Sequence, residues 1–406
     1  SAVRFSVSED LKISIRGGGH HVAGTAVCDH GVMIDLSNMK KVRVDEINRI
    51  AYVEAGATLA DVDAETQKYG LATPTGTVSE TGIAGLSLGG GFGYLRAKYG
   101  LTCDNLVGAR MITTRGELIN VNQDEHPDLF WAIRGGGGNF GVVTEFQFQL
   151  HPVGPEVLAI DVMYDYDDLE LILDKLEAFT EAAPDDVSVN LSIIKLPPAP
   201  FIPESLHFKR VILIAGMYVG NVTEDIKQTV IKPLGHLAQP IVDNTATMPY
   251  TDVQKKLDQM VPNGVPVDGT SLFLNTLSKD AIGVLKDAVE NPDAPFALVQ
   301  LWPLHGKINR VPEHDTAFAI RDARYLFIVD AEVSKDQPRE SIEWVQSIYE
   351  NLLPYAHKQA SYINGIKVSP EITEKAYQQN YEKLAAIKKK YDPTNRLCYN
   401  HNIEPK

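Results

Sequence analysis

Cysteine is scarce: Cys28, Cys103 and Cys398 form an odd, widely spaced set with no CxxC pair and no neighbouring Cys/His cluster. This rules out a disulfide framework and supplies no ligand set for a structural metal, so a reducing, cytoplasmic setting is the expectation. Long hydrophobic runs are also lacking. No stretch approaches about eighteen consecutive apolar residues, and Ser1 to Lys12 shows no charged leader followed by an apolar run, so neither a membrane span nor an intact signal peptide is expected. Positive charge is in deficit, with 38 Lys and Arg against 53 Asp and Glu for a formal charge of −15. Such a surface repels phosphate backbones, which argues against nucleic acid as a partner. There is no GxxxxGK[ST] loop to hold a nucleoside triphosphate, no internal repeat and no low-complexity tract.

Glycine, by contrast, is concentrated. With 406 residues the chain is long enough for two domains of about 150 to 250 residues each, and all its glycine runs fall in the first 150 positions. Lys12 to Arg16 alternates as a strand and enters Gly17-Gly18-Gly19, with His20 and His21 at the end of the turn. Short strands are expected at Val32 to Leu36 and Ala51 to Val53. Thr58 with Asp61 reads as a capping box opening a helix whose stripe is Leu59, Val62 and Tyr69, ended by Gly70. A second glycine stretch spans Gly82 to Gly93. The third, Gly135 to Gly138, lies between helix-like Pro127 to Ile133 and a strand from Val142 to Leu150.

Consecutive glycines reach φ > 0 and bring unhindered N–H groups to one point, which suits a pyrophosphate without calling for net positive charge. One such run is ordinarily a turn; three in one domain point to a bulky phosphorylated cofactor. Gly136 to Gly141 matches GxGxxG, but that fingerprint works between a strand and a following helix, and here the order is helix then strand, which excludes NAD by this route.

After His151-Pro152-Val153-Gly154-Pro155 the glycine runs stop. Strands at Val187 to Leu196, Val211 to Val219 and Tyr325 to Val333 alternate with helices near 167–182, 223–238 and 340–354, which describes a second α+β domain. The proline-rich Leu196 to Pro203 reads as a surface loop. Near the end, Tyr377, Tyr381, Leu384 and Ile387 mark one helical stripe stopped by Asp392-Pro393.

Arg16-Gly17-Gly18-Gly19-His20, Pro74-Thr75-Gly76, Gly82-Ile83-Ala84-Gly85, Gly89-Gly90-Gly91-Phe92-Gly93, Tyr99 to Asn105, Asp128 to Gly141 and Tyr391 to Asn395 together resemble the vanillyl-alcohol-oxidase superfamily (PCMH-type FAD-binding proteins), and within it the berberine-bridge-enzyme-like FAD-linked oxidoreductases. The match is dense over 11–153 and good over 355–403. It implies an α+β, two-domain fold: an FAD-binding domain at 1–153, an antiparallel-sheet substrate domain flanked by helices at 154–357, and a segment at 358–406 returning to the first domain. It also implies a further small subdomain before the glycine loop, of which Ser1 to Leu11 is all that is seen.

The same resemblance places FAD contacts at Arg16, Gly17, Gly18, Gly19, His20 and His21; at Thr81, Gly82, Gly85, Gly89, Gly90, Gly91 and Phe92; at Asp104 and Asn105; at Gly138, Gly141, Val142 and Val143; and at Asn400 and Asn402. His20 is implied to bond the 8α-methyl of the isoalloxazine, a fair task for an imidazole that is neutral near its ordinary pKa of about 6.5. His21 reads as a supporting or structural residue. Val78 stands where many members carry a second, cysteinyl attachment, so a single tether is expected, with Cys28 and Cys103 packing as small buried hydrophobes. Thr81 occupies the position that gates oxygen, which leaves oxidase and dehydrogenase both open.

Catalysis is implied at Tyr362, on a strand-like Tyr362-Ile363-Asn364, as a base that would need a cation or donors nearby, and at Asn400. His305 falls at a strand end, either lining the pocket or simply exposed. The expected activity is hydride transfer from an alcohol, sugar or secondary metabolite to FAD, with oxygen as acceptor. A flavin carrier with little turnover, or a dehydrogenase using another acceptor, is the alternative.

Overall fold

The computed structural model describes residues 2–198, 200, 202–260, 264–290, 294 and 296–406. The strand Lys12–Arg16 buries Ile13 while leaving Arg16 exposed, and it runs parallel to Gly31–Asp35, with Ile13 opposite Val32. Five antiparallel strands follow in the spatial order Val42–Asp45, Ile50–Glu54, Val142–Gln149, Leu106–Ile112 and Leu118–Asn122. The capping box forms as read: the Thr58 side chain accepts from the Asp61 N–H while the Asp61 carboxylate accepts from the Thr58 N–H. Its helix, Leu59–Thr66, is shorter than expected. Gln67–Tyr69 tightens into a 3₁₀ turn that leaves Tyr69 exposed rather than on the apolar stripe, and Gly70 ends it with φ 63°.

The middle of the chain forms an eight-stranded sheet of antiparallel pairs. Its order is Pro240–Asp243, Glu156–Asp165, Arg210–Tyr218, Val187–Lys195, Ala297–Pro303, Tyr325–Glu332, Val267–Leu274, with Ala246–Pro249 also on Glu156–Asp165. Side-chain alternation decides its two faces. Val187, Val189, Leu191 and Ile193 join Leu173 and Leu176 of helix Leu169–Ala182 and Trp344 and Ile348 of helix Pro338–Leu352 in one core. Ser188, Asn190 and Ser192 point the opposite way, away from those helices, with only the short helix Arg96–Tyr99 against Ser188 among the described residues. All three are nonetheless buried.

Other expectations need correction. The helix near 223–238 is interrupted: Glu224–Ile226 runs into a π-helical Lys227–Ile231 and then Lys232–Gly235. Pro233 has no N–H for the ladder and its ring crowds the carbonyl one turn back, which opens the preceding turn. The C-terminal stripe is carried by two helices, Pro370–Tyr377 and Tyr381–Tyr391, because Gln378 sits at φ 48° and its side chain donates to the carbonyls of Lys358 and Lys375. Cys103 is buried as expected, but Cys28 is only half-buried. Within the proline-rich loop, Ala199 and Phe201 lie outside the described residues.

The returning C-terminal segment packs into the first core, where Ile363, Tyr377, Leu384, Tyr391, Leu397 and Ile403 lie with Phe146, Phe148 and Trp131. Lys388 fixes it there. Its fully buried ammonium donates to the Asn139 and Leu397 carbonyls and to the Asp392 carboxylate, which in turn accepts from the N–H groups of Arg396 and Leu397.

Candidate flavin site and substrate face

The first two glycine runs touch backbone to backbone. A Cβ built on Gly18 would lie 2.4 Å from the Gly82 nitrogen and 2.6 Å from its Cα, so only glycine allows this approach. Thr81 sits beside the contact, its carbonyl taken by the Leu59 N–H. The third run joins them through the Gly137 N–H, which donates to the Leu88 carbonyl at 2.9 Å. Gly85 faces open space, and a Cβ on Gly138 would meet only the Asn400 amide, at 4.0 Å. Gly141 is pressed against Met111 and Ile112, and Val142 and Val143 begin the strand behind it.

Among the described residues, the N–H groups of residues 17–21 have no protein acceptor. Such a concentration of free donors fits a bound polyanion. Arg16 stands 3.6 Å from Asp35 at the edge of this loop. The His20 ring lies at the rim, open to solvent on one side, yet the surrounding protein desolvates it enough to lower its pKa against the opposing pull of Glu80. The imidazole is thereby kept neutral and nucleophilic at neutral pH. His21 is fully occupied: its Nδ1 accepts from the Ala23 N–H at 3.1 Å and its Nε2 donates to the Ile363 carbonyl at 2.8 Å. It ties the loop to the returning segment.

Tyr362 is not on a strand. It precedes a 3₁₀ turn, Ile363–Gly365, and is clasped by Ser271, whose hydroxyl donates to the Tyr362 carbonyl at 3.0 Å and accepts its N–H at 3.1 Å. The phenol oxygen accepts from the Gly91 N–H at 3.1 Å and from Asn364 Nδ2 at 2.9 Å, with the edge of Phe92 packed on the ring. Burial raises its pKa, outweighing these two donors, and no cation adjoins it. The phenol therefore stays protonated at neutral pH, with its own hydrogen free of any acceptor among the described residues. That suits a donor better than a resting base.

Asp104 and Asn105 are spent on protein. Asp104 forms a buried bidentate pair with Arg321 at 2.6 and 2.9 Å and accepts the Leu101 N–H. Asn105 donates to the carbonyls of Tyr99 and Leu101 and accepts from His151. They shape the turn whose Thr102 and Cys103 N–H groups hold the Gly91 and Gly90 carbonyls. Asn400 donates through Nδ2 to the Gly138 and Leu397 carbonyls, while its Oδ1 and that of Asn402 are buried with no partner. His305, half-buried, has its pKa pushed down to about 4 by burial and the nearby Arg96.

Sequence reading missed a candidate substrate face, because its residues are single polar positions scattered over separate strands. At one end, this side of the sheet meets Phe92, whose ring lies 6.5 Å from Trp302 and 6.1 Å from Phe273, and Ala97 of the short helix Arg96–Tyr99, whose N–H donates to Ser188. At the other end Val22, two residues past His20, approaches Gly269. Between them both amide atoms of Asn190 and the Trp302 Nε1 are buried without partners, and Gln300 donates to Ser192 at 3.1 Å. Buried polar atoms normally find partners, so these orphans, with those of Asn400 and Asn402, mark where a cofactor and substrate would be held. The residues present fit FAD: free donors for a pyrophosphate, uncharged amides for a ring edge, and a neutral histidine at the junction.

A glycine-cradled site facing one side of an antiparallel sheet defines a flavoprotein of the two-domain kind. A family model described as FAD binding domain matches residues 1–122, and one described as Berberine and berberine like matches 355–404. An FAD-linked oxidoreductase of Dictyostelium discoideum is 34% identical over 100% of this chain and 86% of its own length. The crystal structure of 6-hydroxy-D-nicotine oxidase from Arthrobacter nicotinovorans superposes with a TM-score of 0.84 at 26% identity, covering 100% of this chain and 89% of that one. Glucooligosaccharide oxidase from Acremonium strictum shares the fold, with a TM-score of 0.85 at 23% identity over 100% and 89% of the two chains. The chain belongs to the berberine-bridge-enzyme-like FAD-linked oxidoreductases, and it is an FAD-dependent enzyme with the two-domain α+β fold of that superfamily. Among the described residues no helix is long and apolar enough to cross a membrane, and no His, Cys, Asp or Glu cluster could hold a metal.

Proposed function

We propose that this protein oxidises a small alcohol, sugar or secondary metabolite using FAD held by a single covalent bond to His20, with oxygen as the terminal acceptor. The observation carrying this reading is the first glycine loop, where unpaired N–H groups lead directly into a histidine kept neutral by its surroundings. Val78 offers no second attachment, unlike the histidyl and cysteinyl linkage named for glucooligosaccharide oxidase. Bound FAD supplies a two-electron acceptor for a C–H bond. The chain's own residues do the rest: the loops at 17–21 and 82–91 bind the phosphates, and the Oδ1 atoms of Asn400 and Asn402 accept from the ring's edge. The Tyr362 hydroxyl donates to the reacting oxygen, and the sheet face around Asn190, Gln300 and Trp302 orients the substrate. Residues 1–153 and 358–406 form the cofactor domain and 154–357 the substrate domain, a division supported by the two largest cores, while smaller clusters such as Phe92, Phe273 and Trp302 join the two.

The test is a denaturing gel viewed for flavin fluorescence. Wild type should carry flavin on the polypeptide, whereas His20→Ala should purify yellow but release its flavin on acid precipitation. Flavin still attached to the mutant chain would refute the tether.

A further inference from the structure

Asp330 has no role in the reading above, yet it lies on the substrate face. Antiparallel register sets three rows across that face. Leu326 and Phe273 stand beside Trp302, Ile328 and Ser271 beside Gln300, and Asp330 lies between Leu298 and Gly269. The absence of a side chain at Gly269 makes room for the carboxylate. A Cβ built there would lie 2.9 Å from Asp330 Oδ1 and 3.5 Å from Val22 Cγ1 of the His20 turn, so the carboxylate and that turn converge on one point. Other buried acidic side chains have a cation close by: Asp104 has Arg321, Asp392 has Lys388, and Asp268 in the same strand as Gly269 has Lys367. Asp330 has neither an ion pair nor a hydrogen bond among the described residues. Although the side chain is only half-buried, desolvation by the surrounding protein raises its pKa to about 6, with no compensating charge.

A half-buried carboxylate with no protein partner is left to face whatever occupies this side of the sheet, and its natural complement is a cation. We propose that Asp330 is a specificity-determining residue, its carboxylate anchoring a protonated amine of the substrate beside the His20 turn while aromatic Trp302 and Phe273 face the remainder. This rests on the flavoprotein reading and narrows its substrate class to aminated, ring-bearing compounds. At pH 7.5 the carboxylate is ionised and an aliphatic amine is charged, so attraction operates in the ordinary protonation states of both.

The test titrates the oxidised holoenzyme with benzylamine, benzyl alcohol, phenethylamine and phenethyl alcohol at pH 7.5, following perturbation of the flavin visible band. Wild type should bind each amine at least tenfold more tightly than its matched alcohol, and Asp330→Asn should lose at least tenfold for the amines with the alcohols unchanged. Should that variant fail to fold, the wild-type ratio alone decides, and a ratio of one or less overturns the anchor. A yellow protein whose amine affinities are the same with and without Asp330, including no binding by either, also overturns it. A colourless wild type would overturn the flavoprotein reading and this inference with it.

Discussion

Gly18→Ala puts the backbone contact of the two loops to the test. Gly18 does not have a left-handed φ, so alanine is conformationally acceptable there and any effect comes from the clash alone. The new methyl would stand 2.4 Å from the Gly82 nitrogen, a backbone atom that cannot rotate away. Restoring ordinary contact requires the loops to part by about 1 Å. Overpacking of this kind costs roughly 1–3 kcal/mol, or a fall of about 2–4 °C in Tm per kcal/mol for a domain of this size. The effect on the cofactor should be larger. Parting the loops pulls the N–H groups of residues 17–21 out of their shared geometry, so flavin per polypeptide, read from the visible-to-ultraviolet absorbance ratio, should drop sharply. Gly82→Ala, with its Cβ 2.3 Å from the Gly18 nitrogen, should behave alike, and the double variant should be little worse than either because the loops have already separated. Gly283→Ala, whose Cβ meets nothing within 4 Å, serves as the tolerated control. Full flavin content and an unchanged Tm in Gly18→Ala would show that the loops do not meet as described.

Tyr362→Phe leaves the Gly91 N–H without an acceptor and removes the hydroxyl, so anaerobic flavin reduction by a turned-over substrate should slow about 10²-fold while flavin content persists; an unchanged rate would remove Tyr362 from the chemistry. Lys388→Met strands the buried Asp392 carboxylate and should cost about 3–5 kcal/mol in denaturant unfolding; a loss below 1 kcal/mol would contradict the pair's burial. Asp63, buried beside Gln254, has its pKa pushed up to about 7 by desolvation. A carboxyl whose folded pKa exceeds its unfolded value favours the native state most when protonated, so wild-type stability should fall as pH rises from about 4 through 7, by roughly 4 kcal/mol. Asp63→Asn keeps an acceptor for Gln254 and should raise Tm at pH 8 but not at pH 4.5; parallel curves would refute the assignment.

The parts that could be read in advance are those where short-range chemistry dictates shape. The Thr58–Asp61 box, the strand Lys12–Arg16 and the helix-then-strand order around Gly135 to Gly138 each follow from local rules, and all three are present in the fold, although Ser14 is buried beside Ile13 rather than alternating with it. Failures came where distant partners decide. Nothing near Gln378 announces that its side chain will reach Lys358 and break a helix, and the Tyr362 segment is shaped by Ser271, 91 residues away. The proposed substrate face was illegible for a related reason: Asn190, Gln300 and Asp330 come onto one side only once three strands are in register, and each alone reads as an unremarkable polar residue in an apolar run. The basic partner of Asp104, Arg321, was hidden in the same way.

The buried ammonium of Lys388 has a temporal implication. The strand that launches the first glycine loop gives its Ile13 N–H to the Arg396 carbonyl, and Asn139 clasps both the His401 carbonyl and the Ile403 N–H. A ribosome delivering this polypeptide would thus release the early half of the cofactor domain with its core still open, and only the arrival of residues around 388–403 would seal it. Maturation, including any attachment at His20, should therefore wait for synthesis to pass that point, and a nascent chain halted at 380 should emerge colourless.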